Sequence, residues 1–338
     1  MTGVQTCALP IFFALDPETS HQLTLNALRL AGNFPLSNWF LTQLYKTESK
    51  PVQAFGLTFK NPIGLAAGYD KDGVAVRGLA ALGFGHIEIG TVTPKPQAGN
   101  PRPRVFRLAE DEAVINRMGF PSQGMSKVAG RMSKVGSQKS VIVGVNLGKN
   151  KDTPLEEAAR DYVELMKVFA PLADYLTINI SSPNTIGLRR LQNREMLENL
   201  LGQINLERET WNLKLPILVK ISPDLSDEEL DDAIGVILDK KMDGIIAANT
   251  TLSREGVRSN LKGETGGLSG NPLKGRSEAV LSRVVKLVHE RVPIISAGGI
   301  ASPEEAKKRL ALGASLVQVY TGLVYRGPGL TKQIIESL

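Results

Sequence analysis

At 338 residues the chain has room for one large domain or two to three ordinary ones, and its 42% hydrophobic and 22% charged content is that of a folded protein with a substantial core. The net charge of +6, from 40 basic and 34 acidic residues, is a mild excess that suits a phosphate cofactor, an acidic substrate or an anionic membrane surface; without a long basic run or aromatic–basic interleaving it does not suggest nucleic acid. The single cysteine, Cys7, excludes an internal disulfide and a cysteine-based metal site, and His21, His86 and His289 are too scattered to ligate a metal, so none is expected.

Residues 1–11 have no periodicity and do not read like the rest; they are expected to be non-native or disordered, with no function placed on Cys7. The apolar stretch Ala8–Leu15 is far short of the roughly 20 residues of a membrane-spanning helix and lacks the basic flank of a signal peptide. Two helical patterns follow, over about Thr19–Leu30 (ending at Gly32) and in LSNWFLTQLY. The second sets Leu36, Trp39, Phe40 and Leu44 on one face at spacings of three and four. The ordinary reading is a helix pair packed on a core; the sharper one is an apolar hairpin lying on a membrane surface.

From about Ala54 the pattern changes to short apolar runs of strand length: Ile63–Ala67, Ile87–Thr91, Val141–Asn146, Tyr175–Ile180, Ile217–Ile221, Gly244–Asn249, Ile294–Ala297 and Leu316–Tyr320. Most are separated by helix-length segments with start signals: Thr153-Pro154-Leu155-Glu156, Ser226 with Glu229, and Ser302-Pro303-Glu304-Glu305. Strands apolar throughout imply a parallel sheet covered on both faces, and eight of them alternating with helices predict a closed (β/α)8 barrel. The alternative, a doubly wound open sheet, would carry a glycine-rich dinucleotide loop after its first strand, where GLAAGYDKDG lacks the G-x-G-x-x-G spacing. Thr93–Asn116 and Ser253–Gly270 read as long loop excursions, which favours a functional role for both.

Barrel chemistry sits at the C-terminal ends of the strands. Those ends carry Gly68-Tyr69-Asp70-Lys71, Gly90-Thr91, Asn146, Asn179 with Ser181, Ser182 and Asn184, Lys220, Asn249-Thr250-Thr251, Gly298-Gly299 and Tyr320-Thr321-Gly322. The glycine turns after the last two strands suit a phosphate held by backbone N–H groups. The rest of this rim has lysines and carboxamides but almost no carboxylate or histidine, so glycoside hydrolysis, metal catalysis and a Ser-His-Asp set are all poorly supported. Carboxamides both donate and accept, which suits a flat heterocycle with alternating N–H and C=O groups. Lys220 stands inside the apolar run PILVKIS, where an unpaired ammonium is costly. The residues therefore favour a phosphate-bearing cofactor, flavin mononucleotide (FMN) first among candidates, beside a planar amide-rich substrate.

The strings GLTFKNPIGLAAGYDKDG, IEIGTVTPKPQAGNPRPRVFRL, INRMGF, INISSPNT, ANTT, TGGLSG and SAGGI occur in this order. With them the chain, from about Phe12 to its C-terminus, resembles the dihydroorotate dehydrogenase family in its membrane-associated, quinone-using class. The resemblance implies an FMN-dependent (β/α)8 barrel that oxidises dihydroorotate to orotate in de novo pyrimidine synthesis. It implies that Ala67, Gly68, Tyr69, Asp70, Lys71 and Thr91 contact FMN, Lys71 also reaching the substrate. Asn146, Asn179 and Lys220 would bind the flavin, and Ala248, where some relatives have threonine, would offer only its backbone. Gly270, Gly299, Tyr320 and Thr321 would hold the ribityl-phosphate end. Dihydroorotate would lie against Asn116, Arg117, Met118, Gly119, Phe120, Asn179, Asn184, Asn249 and Thr250.

Ser182 matches the catalytic base, which would pass its proton to water or to a hydroxyl such as that of Thr185; the soluble fumarate- or NAD-linked class has cysteine there. Lys220 would stabilise charge on the flavin, and Pro183–Gln192, hinged at Gly187, could close over the substrate. Residues 12–48 would form a membrane-associating extension with a quinone tunnel, His21, Arg107 and Tyr320 at its inner end, and residues 49–338 the barrel. A monomer, peripheral on the membrane and on the cytoplasmic side of the inner membrane in a bacterium, is the expected state. Competing readings fit less well. A flavin reductase acting on pyrimidines would want cysteine at position 182, a sugar-phosphate isomerase a Glu or His base, and a catalytically dead binding module would not need Lys71, Ser182 and Lys220 together.

Overall fold

The carboxylate of Asp16 accepts the N–H of Thr19 at 2.9 Å and Pro17 occupies the first turn, so a helix starts there: α1, Pro17–Asn33. The computed structural model describes residues 12–135 and 140–338, which leaves the expectation for residues 1–11 outside the described residues. After an extended Phe34, Pro35 opens α2, Pro35–Leu44. A short hairpin, β1 (Val52–Ala54) and β2 (Leu57–Phe59), precedes β3 (Ile63–Leu65), α3 (Val76–Ala81) and β4 (His86–Val92). Then come β5 (Val105–Leu108), β6 (Ala113–Asn116), α4 (Met125–Val135), β7 (Ile142–Leu147), α5 (Ala158–Phe169) and β8 (Tyr175–Asn179). The second half holds α6 (Arg194–Thr210), β9 (Ile217–Lys220), α7 (Asp227–Asp239), β10 (Gly244–Ala247), β11 (Gly267–Gly270) and α8 (Lys274–Val288). It ends with β12 (Ile294–Ala297), α9 (Pro303–Ala311), β13 (Leu316–Val319), α10 (Thr321–Arg326) and α11 (Leu330–Ser337).

The eight apolar runs close into a parallel barrel in the order β10-β12-β13-β3-β4-β7-β8-β9, sealed where Val317 faces Ile63 and Val319 faces Leu65. Every residue of β3, β4, β8, β9, β10, β12 and β13 is buried, as a sheet covered on both faces requires. The amphipathic helices pack outside it. At the barrel's N-terminal end the β1–β2 hairpin brings Ala54 and Phe59 into a cluster with Tyr175, Leu218, Ile246, Ile295 and Leu316.

Three expectations change. The α1–α2 pair is not packed on a core through both members. α1 lies so close to α3 that a Cβ on Gly78 would come within 2.1 Å of the Leu28 carbonyl oxygen, whereas α2 buries no residue. Leu36 is 79% exposed, Phe40 61% and Trp39 59%, because α2 rests beside α1 and α3 with this apolar face turned away from both. The two long excursions are not separate loops: β6 pairs antiparallel with β5 and with β11, so both join one three-stranded sheet over the cleft, with Asn116 opposite Gly267. Thr153 does not cap its helix; its hydroxyl donates to Asp161 at 2.8 Å, and a 3-10 turn, Leu155–Glu157, leads into α5. Ser226 with Glu229 forms the expected capping box, and Ser302 accepts the N–H of Glu305.

Candidate active site

A cleft with about 1030 Å³ of empty space, part of it open to solvent, lies at the C-terminal ends of the barrel strands under the β5–β6–β11 sheet. Its floor is built on Glu88, a fully buried carboxylate that the strand-end reading missed because it lies inside β4 and not at its end. Oε1 of Glu88 accepts from Asn146 at 2.8 Å and faces the Lys220 ammonium at 3.9 Å. Oε2 accepts from Gln318 at 3.0 Å, Thr177 at 3.2 Å and Tyr175 at 3.3 Å. The available signal was a lone acid within the apolar run IEIG. Burial lowers the pKa of Lys220, and the Glu88 carboxylate beside it opposes that shift.

Ala67, Gly68, Lys71, Thr91, Asn179, Lys220 and Ala248 all line the cleft. Lys71 donates to the Gly68 carbonyl, and burial brings its pKa down to about 8. Asn146 does not line the cleft; it lies one layer below, where Oδ1 accepts from Thr91 at 2.5 Å and from Asn179 at 2.9 Å. Asp70 is fully buried, with its carboxylate on the N–H groups of Val74 and Ala75, so it shapes the loop and does not face the cleft. Tyr69 is also behind the wall, its ring edge-on to Tyr320 at 5.6 Å.

On the opposite wall stand Asn116, Met118, Gly119, Phe120, Ser182, Asn184, Asn249 and Thr250. Asn184 donates to Asn116 Oδ1 at 3.1 Å and Asn249 to Ser181 Oγ at 2.8 Å. The Ser182 hydroxyl is buried and accepts the N–H of Asn184 at 3.2 Å; three residues on, the Thr185 hydroxyl is buried with no hydrogen-bond partner among the described residues. Arg117 points elsewhere: it pairs with Glu264 at 2.6 Å and lies over Phe106. A second residue that sequence reasoning missed is Arg189. It ties the Pro183–Gln192 segment down by donating to the Ser181 carbonyl (3.1 Å), to Asp224 (2.8 Å) and to the Thr250 carbonyl (2.9 Å). The arginine pair in GLRRLQ carries no sequence signal of that role.

At the far end Gly270, Gly299, Tyr320 and Thr321 close the cleft. Gly270 has φ +98° and Gly299 φ +74°, and a Cβ on Gly299 would lie 2.5 Å from the Lys274 Cα. No side chain fits there, so backbone forms the wall, with the Thr321 hydroxyl (2.7 Å from Ser269 Oγ) as its polar group. This cradle, with a buried cation and a carboxamide floor in the same cleft, fits a flavin bearing a terminal phosphate.

Two of the three tunnel residues, His21 and Tyr320, are linked through Tyr69. His21 meets Tyr69 edge-on at 4.9 Å, and Tyr69 meets Tyr320, so a line of rings runs from α1 to the cleft. Burial lowers the His21 pKa to about 3, leaving a neutral ring in that line. Arg107 instead holds the stretch before α1, donating to the Phe12 carbonyl at 2.8 Å and lying over the Phe13 ring at 4.8 Å.

The fold and the cleft together define a (β/α)8-barrel enzyme working at the C-terminal face of its strands. The family model described as dihydroorotate dehydrogenase matches residues 50–338, and the chain belongs to that family. It is 48% identical to a dihydroorotate dehydrogenase (quinone) of Roseiflexus sp. (strain RS-1), over 100% of this chain and 94% of that one. It is 47% identical to a protein so named from Idiomarina loihiensis, over 97% and 98%. Among solved structures, ligand-free DHODH from Eimeria tenella superposes with a TM-score of 0.86 at 42% identity, covering 95% of this chain and 94% of that one. The ferulenol complex of DHODH from Eimeria tenella gives 0.84 at 40% identity, covering 95% and 90%.

Proposed function

We infer that this chain oxidises dihydroorotate to orotate, with FMN as hydride acceptor and a quinone as final electron acceptor, in de novo pyrimidine synthesis. The observation that carries the reading is the convergence of Lys71, Ser182 and the carboxamides of Asn116, Asn179, Asn184 and Asn249 on one cleft that ends in a backbone cradle. The relatives from Roseiflexus sp. and Idiomarina loihiensis, 48% and 47% identical over nearly the full chain, are both called quinone enzymes, which supports the choice of acceptor.

FMN would lie along the Ala67–Thr91 side and over Lys220, its phosphate in the cradle of Gly270, Gly299 and Thr321, and when bound it supplies a hydride acceptor. Lys71 pairs with the substrate carboxylate, and the asparagines engage the alternating N–H and C=O groups of the pyrimidine. Ser182 takes the proton from C5 as the hydride leaves C6. A serine hydroxyl is a weak base, so it must release its own proton as it accepts one; the unpartnered Thr185 hydroxyl is the candidate relay, taking that proton and releasing its own to solvent water. Lys220 stabilises negative charge developing above it. Arg189 holds the loop carrying Ser182 against the neighbouring strand ends, which keeps the base in register.

Residues 12–48 form the extension through which quinone reaches the cleft, and residues 49–338 form the catalytic barrel. Among the described residues no helix is long and apolar enough to cross a membrane. The exposed Leu36, Trp39, Phe40 and Leu44 would instead lie in the lipid interface, giving a peripheral monomer, on the cytoplasmic side of the inner membrane in a bacterium. The test is dihydroorotate-dependent reduction of a long-chain quinone by the purified yellow protein, with fumarate and NAD as alternative acceptors. Turnover with fumarate or NAD and none with quinone would reject the assignment.

A further inference from the structure

Behind the wall formed by Gly298, Gly299 and Leu273 lies Arg309, the largest fully buried side chain among the described residues. Arg309 comes from α9, outside the barrel, and its guanidinium reaches inward between β12 and the start of α8. It donates to the Gly298 carbonyl at 3.1 Å, to the Lys274 carbonyl at 3.0 Å, and to the hydroxyls of Ser277 at 2.9 Å and Ser296 at 3.4 Å. Ser277 doubles the clamp: its own hydroxyl is 2.8 Å from the Gly298 carbonyl and 3.0 Å from that of Lys274. Nε has no hydrogen-bond partner among the described residues, and the nearest carboxylate oxygen, on Glu278, is 3.8 Å away.

Burying a guanidinium this completely is costly unless its donors are used, and here they are shared between the carbonyls of Gly298 and Lys274 and the hydroxyls of Ser277 and Ser296. In a planar trans peptide the C=O and the following N–H point in opposite directions. Drawing the Gly298 carbonyl back toward Arg309 therefore turns the Gly299 N–H the other way, to the side on which the cleft lies. The same clamp holds β12 and α8 together where Gly299 and Lys274 already touch too closely for a side chain. Lys274 itself pairs with Glu305 of α9, so the start of α8 is held from that helix at two points.

We propose that Arg309 is a positioning residue for the cofactor's phosphate: from one layer behind the cradle it orients the Gly298–Gly299 peptide as an anion donor and sets a fixed positive charge beneath it. This rests on the reading of the cleft as an FMN site and goes beyond it, because Arg309 does not line the cleft.

Riboflavin has the ring and ribityl chain of FMN without the phosphate, so the ratio of the two affinities isolates the phosphate's share. The full-length protein is stripped of flavin and titrated with each ligand by quenching of flavin fluorescence. Wild type binds FMN more tightly than riboflavin. In Arg309→Gln the FMN affinity falls by about tenfold, the scale of one charge-assisted hydrogen bond, while riboflavin affinity stays at its wild-type level; Arg309→Lys recovers most of the loss. Ser277→Ala, a smaller cut in the same clamp, is measured alongside and lowers the ratio in the same direction, so a poorly folding Arg309→Gln does not remove the test. Equal losses for both ligands, or an unchanged ratio in Ser277→Ala and in folded Arg309→Gln, overturn the role of Arg309 and leave the FMN reading standing. A wild-type protein that does not distinguish the two ligands overturns both.

Discussion

The amide nitrogen of Asn146 lies 2.8 Å from Oε1 of Glu88, and this contact dictates which way the amide faces. A carboxylate only accepts, so Asn146 must turn its NH2 toward the barrel interior and its carbonyl oxygen toward the cleft. That oxygen then accepts from Thr91 and Asn179, both of which line the cleft. One buried acid thereby sets the donor and acceptor polarity of the floor while serving as counterion to Lys220.

Replacing Glu88 by Gln removes both effects with little change of shape. A carboxamide can face Asn146 either way, and Lys220 is left buried without its counterion. Breaking a buried ion pair from one side costs roughly 3–5 kcal/mol. Urea denaturation of E88Q is expected to show a loss in that range, with flavin retained less firmly on gel filtration. A variant as stable as wild type would mean that Lys220 is not held charged by Glu88.

Ser182→Ala removes the proposed base and leaves the asparagine clamp in place. Stopped-flow reduction of the flavin by dihydroorotate should slow by about 10²–10⁴-fold, the usual contribution of a positioned general base, while substrate binding changes little. Thr185→Val should act in the same direction and more weakly. Undiminished flavin reduction in Ser182→Ala across the pH range would reject Ser182 as the base.

Lys71 gives a pH dependence with a definite sign. Its pKa of about 8 belongs to the cleft without substrate, so kcat/KM for dihydroorotate should fall as pH rises through about 8 and the ammonium is lost. Bound carboxylate favours the charged lysine, so the limb should move to higher pH in kcat. For folding the sign is opposite. The unfolded lysine holds its proton to near 10.5, so the unfolded state binds more protons between about 8 and 10.5 and this group makes stability rise with pH across that window. Lys71→Gln should lower kcat/KM by about 10- to 100-fold, the weight of a hydrogen bond to a charged group, and abolish the limb. A limb near pH 8 that persists in K71Q would assign it to another residue.

The exposed face of α2 predicts a division between acceptors. Trp39→Glu combined with Phe40→Glu alters side chains that are 59% and 61% exposed, so the barrel should fold and reduce its flavin as before. Loss of two large apolar anchors at about 1.5–3 kcal/mol each should weaken binding to phosphatidylcholine vesicles by about a hundredfold or more. Turnover with a long-chain quinone in those vesicles should drop, and turnover with a water-soluble dye should not. Equal effects on both acceptors would count against a membrane role for this face.

The barrel was legible because its strands are short and mostly apolar: runs such as PILVKIS and YLTINI are of strand length and lack the spacing of an amphipathic helix. The β5–β6–β11 sheet was not, since Gly267–Gly270 reads GLSG and its partner lies about 150 residues earlier in the chain; nothing local marks it as a strand. At the cleft, looking only at strand ends found the side chains that line it, and for the same reason passed over Glu88, which is within a strand, and Arg309, which is within a helix. Arg117 shows the opposite limit. Its place in INRMGF suggested substrate, but the fold gives it Glu264 and the Phe106 ring as partners.

The pairing of β6 with β11 also orders events in time. Asn116 is synthesised long before Gly267, the residue opposite it, so the roof over the cleft stays an unpaired strand edge until most of the chain has left the ribosome. Barrel closure waits longer still, since β3 finds its second neighbour only in β13. A nascent or truncated chain therefore has no enclosed cleft in which a reduced flavin could be shielded from oxygen, and redox competence arrives only with the last strand.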